Sequence, residues 1–255
     1  MLLIFSYFEV IYVNISVMKK AIVVGASSGI GRELARLLVK NDYKVGITAR
    51  RENLLNELYA ENPDSYVVGA FNLSEIDVIV PNLNRITEEL GGLDLVVISA
   101  GLSGQTLDFD FKVEFESLQI NVMAFTCICN WAFRIFREQN HGHLAGISSV
   151  AGARGWRNSK VYNAAKAYQI NYLEGLRNHA AYLKLPVTVT TIIPGYVETR
   201  MKGNNYVFWV APVEVAARQI YNSIRKKRKI IYTYRRWRFI YFLFKIFPNK
   251  LIEIS

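Results

Sequence analysis

The stretch AIVVGASSGIG, residues 21–31, decides how the rest of the chain is read. Ala21 to Val24 is a short β-rich run that ends in a loop containing Gly25, Gly29 and Gly31. From Gly29 to Lys40 the apolar residues fall at helical spacing, with Ile30, Leu34, Leu37 and Leu38 on one side. A strand, a glycine loop and a helix in that order open a βαβ unit. Glycine lets the backbone turn tightly and approach a pyrophosphate, and the helix that begins there offers free N–H groups and the positive end of its dipole. The spacing is GxxxGxG, not the commoner GxGxxG, so the strand before it and the helix after it carry the reading. On that reading Gly25, Ser27, Ser28, Gly29, Ile30 and Gly31 form the phosphate side of a nucleotide site.

Working outward, apolar runs alternate with helical periods along most of the chain. Strands are predicted at 44–48, 66–70, 93–99, 143–148 and 187–193, with a seventh at 229–234. Long helices are predicted over 113–139 and 159–183, and another over 212–224 that opens on Pro212. Strands alternating with helices predict an α/β domain built on a doubly wound parallel sheet of six to seven strands, covered on both faces. Ligands bind such sheets beyond the C-terminal ends of the strands.

Composition limits the alternatives. The chain has 255 residues, 51% of them hydrophobic, which suits one domain with a sizeable core. Residues 18–234 are assigned to that domain, 1–17 to an N-terminal extension and 235–255 to a basic, aromatic C-terminal helix. Cys127 and Cys129 are too close for an easy disulfide and too few for a zinc site, so they read as core residues. A cytoplasmic setting is expected. His141, His143 and His179 lack partners at metal spacing, and no metal is expected. The net charge of +10 sits in one place. From Arg218 to Ser255 there are eleven Lys or Arg and one acid, while the remaining 217 residues balance 20 basic against 20 acidic. The basic run 225–229 adjoins a predicted strand and belongs to no nucleic-acid module, so no nucleic-acid partner is expected. Residues 1–17 make a poor secretory signal and a marginal membrane span. An upstream extension, a mistaken start and a weak anchor all stay open for them.

The second strand runs out into Ala49-Arg50-Arg51. Sheets that bind NAD usually carry an acid at this point for the ribose 2′-hydroxyl. Here Ala49 takes its place, followed by two arginines, and a guanidinium suits the 2′-phosphate of NADP, so NADP(H) is expected to be preferred over NAD(H). Asn72 and Leu73 after the third strand, and Ala100 and Gly101 after the fourth, would lie against the adenosine half.

Tyr162 and Lys166 stand four residues apart on a predicted helix and therefore share a face. A neighbouring ammonium favours the phenolate, which fits the tyrosine for proton exchange with an alcohol or carbonyl. Ser149 closes the fifth strand, where its hydroxyl can hold a carbonyl oxygen.

From Lys19 to Tyr234 the chain resembles the single-domain short-chain dehydrogenases/reductases. The resemblance rests on GASSGIG (25–31), SAG (99–101), LQINV (118–122), SSVAG (148–152), YNAAK (162–166) and PGYVETRM (194–201), in the family's order. It implies a Rossmann-type fold and an oxidoreductase. Tyr162 would be the general acid/base, and Lys166 would hold the nicotinamide ribose and lower the tyrosine pKa. Ser149, rather than Ser148, would orient the substrate, and Asn121 would support a water-linked proton relay to Lys166. Pro194, Gly195 and Val197 would line the nicotinamide, with Thr199 on its carboxamide. Arg50 matches the family's NADP-selecting position. Val24, Ser99 and Asn72 depart from the Thr, Asn and Asp usual at these places. Relatives commonly pair through the two long helices, so a homo-oligomer is expected.

The segment 200–211 carries Met201, Tyr206, Val207, Phe208 and Trp209, a short apolar cover that points to a lipophilic small-molecule carbonyl or alcohol substrate. In 235–255, five basic residues punctuate Trp237 and a run of Phe, Ile, Tyr and Leu. Membrane-surface contact, a dimer interface and a helix packed on the sheet are the three readings of that tail.

Overall fold

A computed structural model of the chain describes residues 18–104, 106, 108–198 and 209–246. The segment 1–17, Thr199, most of the expected substrate cover and the last residues of the tail lie outside the described residues.

Seven strands form one sheet in the order β3-β2-β1-β4-β5-β6-β7, and every neighbouring pair is parallel. They are β1 (Lys19–Val24), β2 (Tyr43–Ala49), β3 (Tyr66–Ala70), β4 (Leu95–Ile98), β5 (Gly142–Ile147), β6 (Val187–Ile193) and β7 (Ile230–Tyr232). The order reverses between β1 and β4, so the loops after these two strands flank the switch point where ligands enter such sheets.

Side chains alternate across β1. Ala21 and Val23 enter one core, and Ile22 and Val24 the other; all four are fully buried. That is why the strand reads as a continuous apolar run. On one face α1 (Gly29–Val39), α2 (Glu52–Glu61) and α7 (Val213–Arg225) supply Leu34, Leu38, Leu55, Leu58, Ile220 and Ile224. On the other, α3 (Ile76–Leu90), α5 (Phe125–Glu138) and α6 (Lys160–Tyr182) supply Ile79, Leu83, Ile86, Phe125, Phe136 and Leu173. Each fully buried Leu or Ile contributes about 1.5–3 kcal/mol of transfer free energy.

The helix expected over 113–139 begins instead at Phe111, where Asp110 caps it by accepting from the Lys112 N–H at 2.9 Å. It has three parts: α4 (Phe111–Leu118), a π-helical turn (Gln119–Ala124) and α5. The expected fourth strand is shortened at its start, because the carboxylate of Asp94 accepts from the Lys20 N–H at 2.8 Å.

The tail forms α8 (Arg236–Ile246). Trp237 is 2% exposed and Tyr241 is buried, packed with Val150 and Ile193. Gly195 makes this possible, since a Cβ there would run into the Trp237 indole. Of the three readings of the tail, packing on the body describes the inner face of α8. Phe239, Phe242 and Ile246 remain exposed on the other. Among the described residues no helix is long and apolar enough to cross a membrane.

Candidate active site

The loop after β1 is tied to both neighbouring strands. Gly25 and Ala26 donate their N–H groups to the Thr48 carbonyl at the end of β2, and Ser99 and Ala100 donate to the Val24 carbonyl. Gly25 has φ +91° and its Cα abuts the Ala100 backbone, so a side chain is excluded on both counts. Ser28 stands at the N-cap of α1 in extended conformation without bonding back into the helix, and the first turn carries no acid. Its leading N–H groups and uncompensated dipole therefore favour an anion.

Two arginines follow β2, but they differ in direction. Successive residues of an extended chain point to opposite sides. Arg50 is exposed, whereas Arg51 is half-buried and its Nη2 donates to the hydroxyls of Ser27 at 2.8 Å and Ser28 at 2.7 Å. Arg51 is thus the guanidinium that reaches the glycine loop, a placement that the doublet in the sequence left undivided. Asn72 holds the turn into α3, accepting from the Ser74 N–H and donating to Glu75, and Leu73 packs on the core beside it.

Ser148, Ser149, Tyr162, Lys166 and Asn121 converge beyond the ends of β4 and β5. Ser148 is buried and donates to the Lys166 carbonyl at 2.8 Å, which pins α6 to the sheet. Ser149 caps the short helical turn Val150–Ala153, accepting from the Ala151 N–H at 3.1 Å, and its hydroxyl lies on the Tyr162 side, where it favours the phenolate. Lys166 is 4% exposed; its Nζ lies 5.5 Å from the Tyr162 ring centroid and donates to the Ile147 carbonyl at 3.1 Å. A Cβ on Gly101 would stand 3.0 Å from Asn121 Oδ1 and 3.4 Å from Lys166 Nζ, so the end of β4 abuts the same cluster.

Burial governs the protons here. It lowers Lys166 to about 7. It also raises the Tyr162 phenol above its ordinary value, an effect opposed by the Ser149 hydroxyl and reinforced by Tyr196. The phenol therefore holds its proton.

Asn121 is fully buried in the π-helical turn. Its side chain donates to the Leu102 carbonyl at 2.6 Å and the Ser117 hydroxyl at 2.9 Å, while its oxygen accepts from the Leu102 N–H. After β6, the Pro194 carbonyl accepts from the Val150 N–H at 2.9 Å, and Val197 bridges Ala211. Tyr196, Trp209 and Trp237 form an aromatic corner beside Gly195, with ring centroids 5.4 Å and 6.2 Å from Trp237. Gln169 is the part of this neighbourhood that the sequence did not mark, whereas Arg51, Tyr196 and Trp237 stood in marked segments without a role of their own.

The family model described as short chain dehydrogenase matches residues 19–207. The chain belongs to the short-chain dehydrogenase family. This short-chain dehydrogenase is 32% identical over 191 residues to an uncharacterised oxidoreductase of Mycobacterium tuberculosis, covering 72% of this chain and 75% of that protein. It is 32% identical over 188 residues to an uncharacterised oxidoreductase of Staphylococcus aureus, covering 71% and 79%. Among solved structures, a short-chain dehydrogenase from Sphingobium yanoikuyae in complex with NADPH superposes with a TM-score of 0.77 at 18% identity, covering 87% of this chain and 92% of that one. One from Burkholderia phymatum in complex with NAD gives 0.79 at 17%, covering 92% and 94%. The fold is common to both. The protein is therefore an oxidoreductase, an NAD(P)-dependent dehydrogenase/reductase of the short-chain kind.

Proposed function

We propose that this short-chain dehydrogenase reversibly reduces a lipophilic ketone or aldehyde to an alcohol, with NADPH preferred over NADH. The observation that carries this reading is the Tyr162 phenol, with the buried Lys166 Nζ 5.5 Å from its ring centroid and the Ser149 hydroxyl on the same side. When bound, the nicotinamide supplies the hydride. The chain's own residues hold the substrate and handle the proton. Ser149 orients the carbonyl oxygen, Tyr162 donates a proton to it, and Lys166 stabilises the phenolate that remains. Asn121 keeps the Leu102 backbone in place beside them.

The glycine loop fits a pyrophosphate, because the uncapped start of α1 and the Ser27 and Ser28 hydroxyls face it together with Arg51. Arg51 supports the NADPH preference, with Arg50 beside it. Pro194, Gly195, Val197 and Thr199 would serve the nicotinamide end. The aromatic corner of Tyr196, Trp209 and Trp237 supports a lipophilic substrate.

The experiment is an NADPH-consumption assay across aliphatic and aryl ketones and aldehydes, with wild type and Tyr162→Phe. Removing the acid is expected to lower turnover about 100- to 10,000-fold while NADPH still binds. Equal turnover would remove Tyr162 from the chemistry. NADPH binding without turnover in wild type would favour the alternative, a non-catalytic NADPH- or lipid-binding protein at a membrane surface. That alternative draws on one feature, the exposed Phe239, Phe242 and Ile246 of α8 beside exposed Arg235 and Arg238. Co-sedimentation with anionic vesicles would test it. A homo-oligomer is the proposed assembly, and sedimentation velocity is its check.

A further inference from the structure

Gln169 lies one turn beyond Lys166 on α6, and its side chain is fully buried. Its amide oxygen accepts from Lys166 Nζ at 2.9 Å, and its amide nitrogen donates to the Asn121 carbonyl at 2.8 Å. That carbonyl belongs to the π-helical turn, where the regular hydrogen-bond ladder of the helix is interrupted. One neutral side chain thus bridges two of the groups gathered at the site.

We propose that Gln169 is a positioning residue for the proton-transfer pair, spanning Lys166 and the Asn121 carbonyl so that the ammonium is held toward Tyr162. An ammonium has three N–H donors. Ile147 and Gln169 take two of them, and the third is left for the Tyr162 side. An amide accepts at oxygen and donates at nitrogen, but it does not pass a proton through as water does. The bridge therefore holds Lys166 in place and does not relay protons from it. The inference rests on the catalytic reading of Tyr162 and Lys166 given above.

The groups facing Lys166 are Tyr162 on α6, the Ile147 carbonyl of β5, Asn121 of the π-helical turn and Gly101 after β4. Tyr162 is the titratable member of this set. An amide oxygen at this distance favours the charged lysine against the burial that disfavours it.

The test follows Lys166 itself, by NMR titration of the full chain carrying lysine labelled with carbon-13 at Cε. The signal is assigned by its loss in Lys166→Met. Gln169→Leu removes the acceptor at similar volume, and the titration midpoint is expected to fall by about one unit or more. Gln169→Glu puts a carboxylate in the same place, and the midpoint is expected to rise by a similar amount. The pH profile of kcat should shift in both variants. A role in packing alone would change the melting temperature and leave the lysine where it was. An unmoved midpoint in both variants overturns the proposal, and if Gln169→Leu does not fold, an unmoved midpoint in Gln169→Glu does so alone. Midpoints that shift as stated, in a protein that turns over no carbonyl compound, support the bridge and reject the catalytic reading.

Discussion

The indole of Trp237 lies directly against Gly195, so the first turn of α8 is keyed into the Pro194-Gly195 bend after β6. The same bend is tied to the turn after Ser149, its Pro194 carbonyl accepting from the Val150 N–H at 2.9 Å. A helix that reads in sequence as a tail is thereby packed on the segments that follow β5 and β6. Gly195→Ala is expected to push α8 outward at a cost of about 1–3 kcal/mol, as overpacking does. Trp237→Ala is expected to cost about 3–5 kcal/mol by emptying the same contact. Urea unfolding of both variants checks this; a Trp237→Ala cost under 1 kcal/mol would mean that α8 is not seated on the body.

Arg51 and Arg50 separate by substitution. Arg51 donates charge-assisted bonds to Ser27 and Ser28, while Arg50 is exposed. Arg51→Ala is expected to weaken NADPH about 10- to 100-fold, on the order of 1.5–3 kcal/mol for hydrogen bonds to a charged group. NADH, which lacks the 2′-phosphate, should change less. Fluorescence titration of each variant with both cofactors decides. A larger loss in Arg50→Ala would return the selecting role to the first arginine.

The two serines differ in the same way. Ser149→Ala removes the hydroxyl that would orient the carbonyl oxygen beside Tyr162, and turnover is expected to fall by roughly tenfold or more with little change in stability. Ser148→Ala removes the second donor to the Lys166 carbonyl, which keeps its bond within α6, and stability is expected to fall by about 0.5–1.5 kcal/mol. Parallel melts and assays read this out. The reverse pattern would exchange the roles of the pair.

How far the sequence led can be judged from particular residues. The strands were legible because β1 buries both faces, so its residues had to be apolar in succession. Tyr162 and Lys166 were legible because helical spacing alone aligns them. α3 was not, since Pro81 inside it reads as a helix breaker. The π-helical turn broke the regular period at Asn121, which placed the residue correctly on a helix and hid where its carbonyl goes. Arg51 was hidden by its neighbour, because two arginines in succession look alike until the direction of the chain is known. Gln169 carries no pattern at all; its role comes from partners 3 and 48 residues away.

His143 makes the protein sensitive to acid. It is buried beside Thr190, whose hydroxyl donates to the Arg228 carbonyl at 2.6 Å and so must accept at 2.7 Å from His143 Nε2. That assigns the proton of the neutral ring to Nε2. Burial, with Lys227 nearby, lowers its pKa from 6.5 to about 4. Above pH 6.5 the ring is neutral in both folded and unfolded chains and adds no pH dependence. Between about 6.5 and 4 the unfolded chain takes up the proton and the folded one does not, so stability falls as the pH falls. The loss across that window is roughly 3 kcal/mol. Urea unfolding at intervals from pH 7 to 4 should show wild type losing stability faster than His143→Gln, which keeps an N–H donor toward Thr190 but cannot titrate. Parallel curves for the two proteins would mean that the ring is already protonated in the folded state or is reached by water.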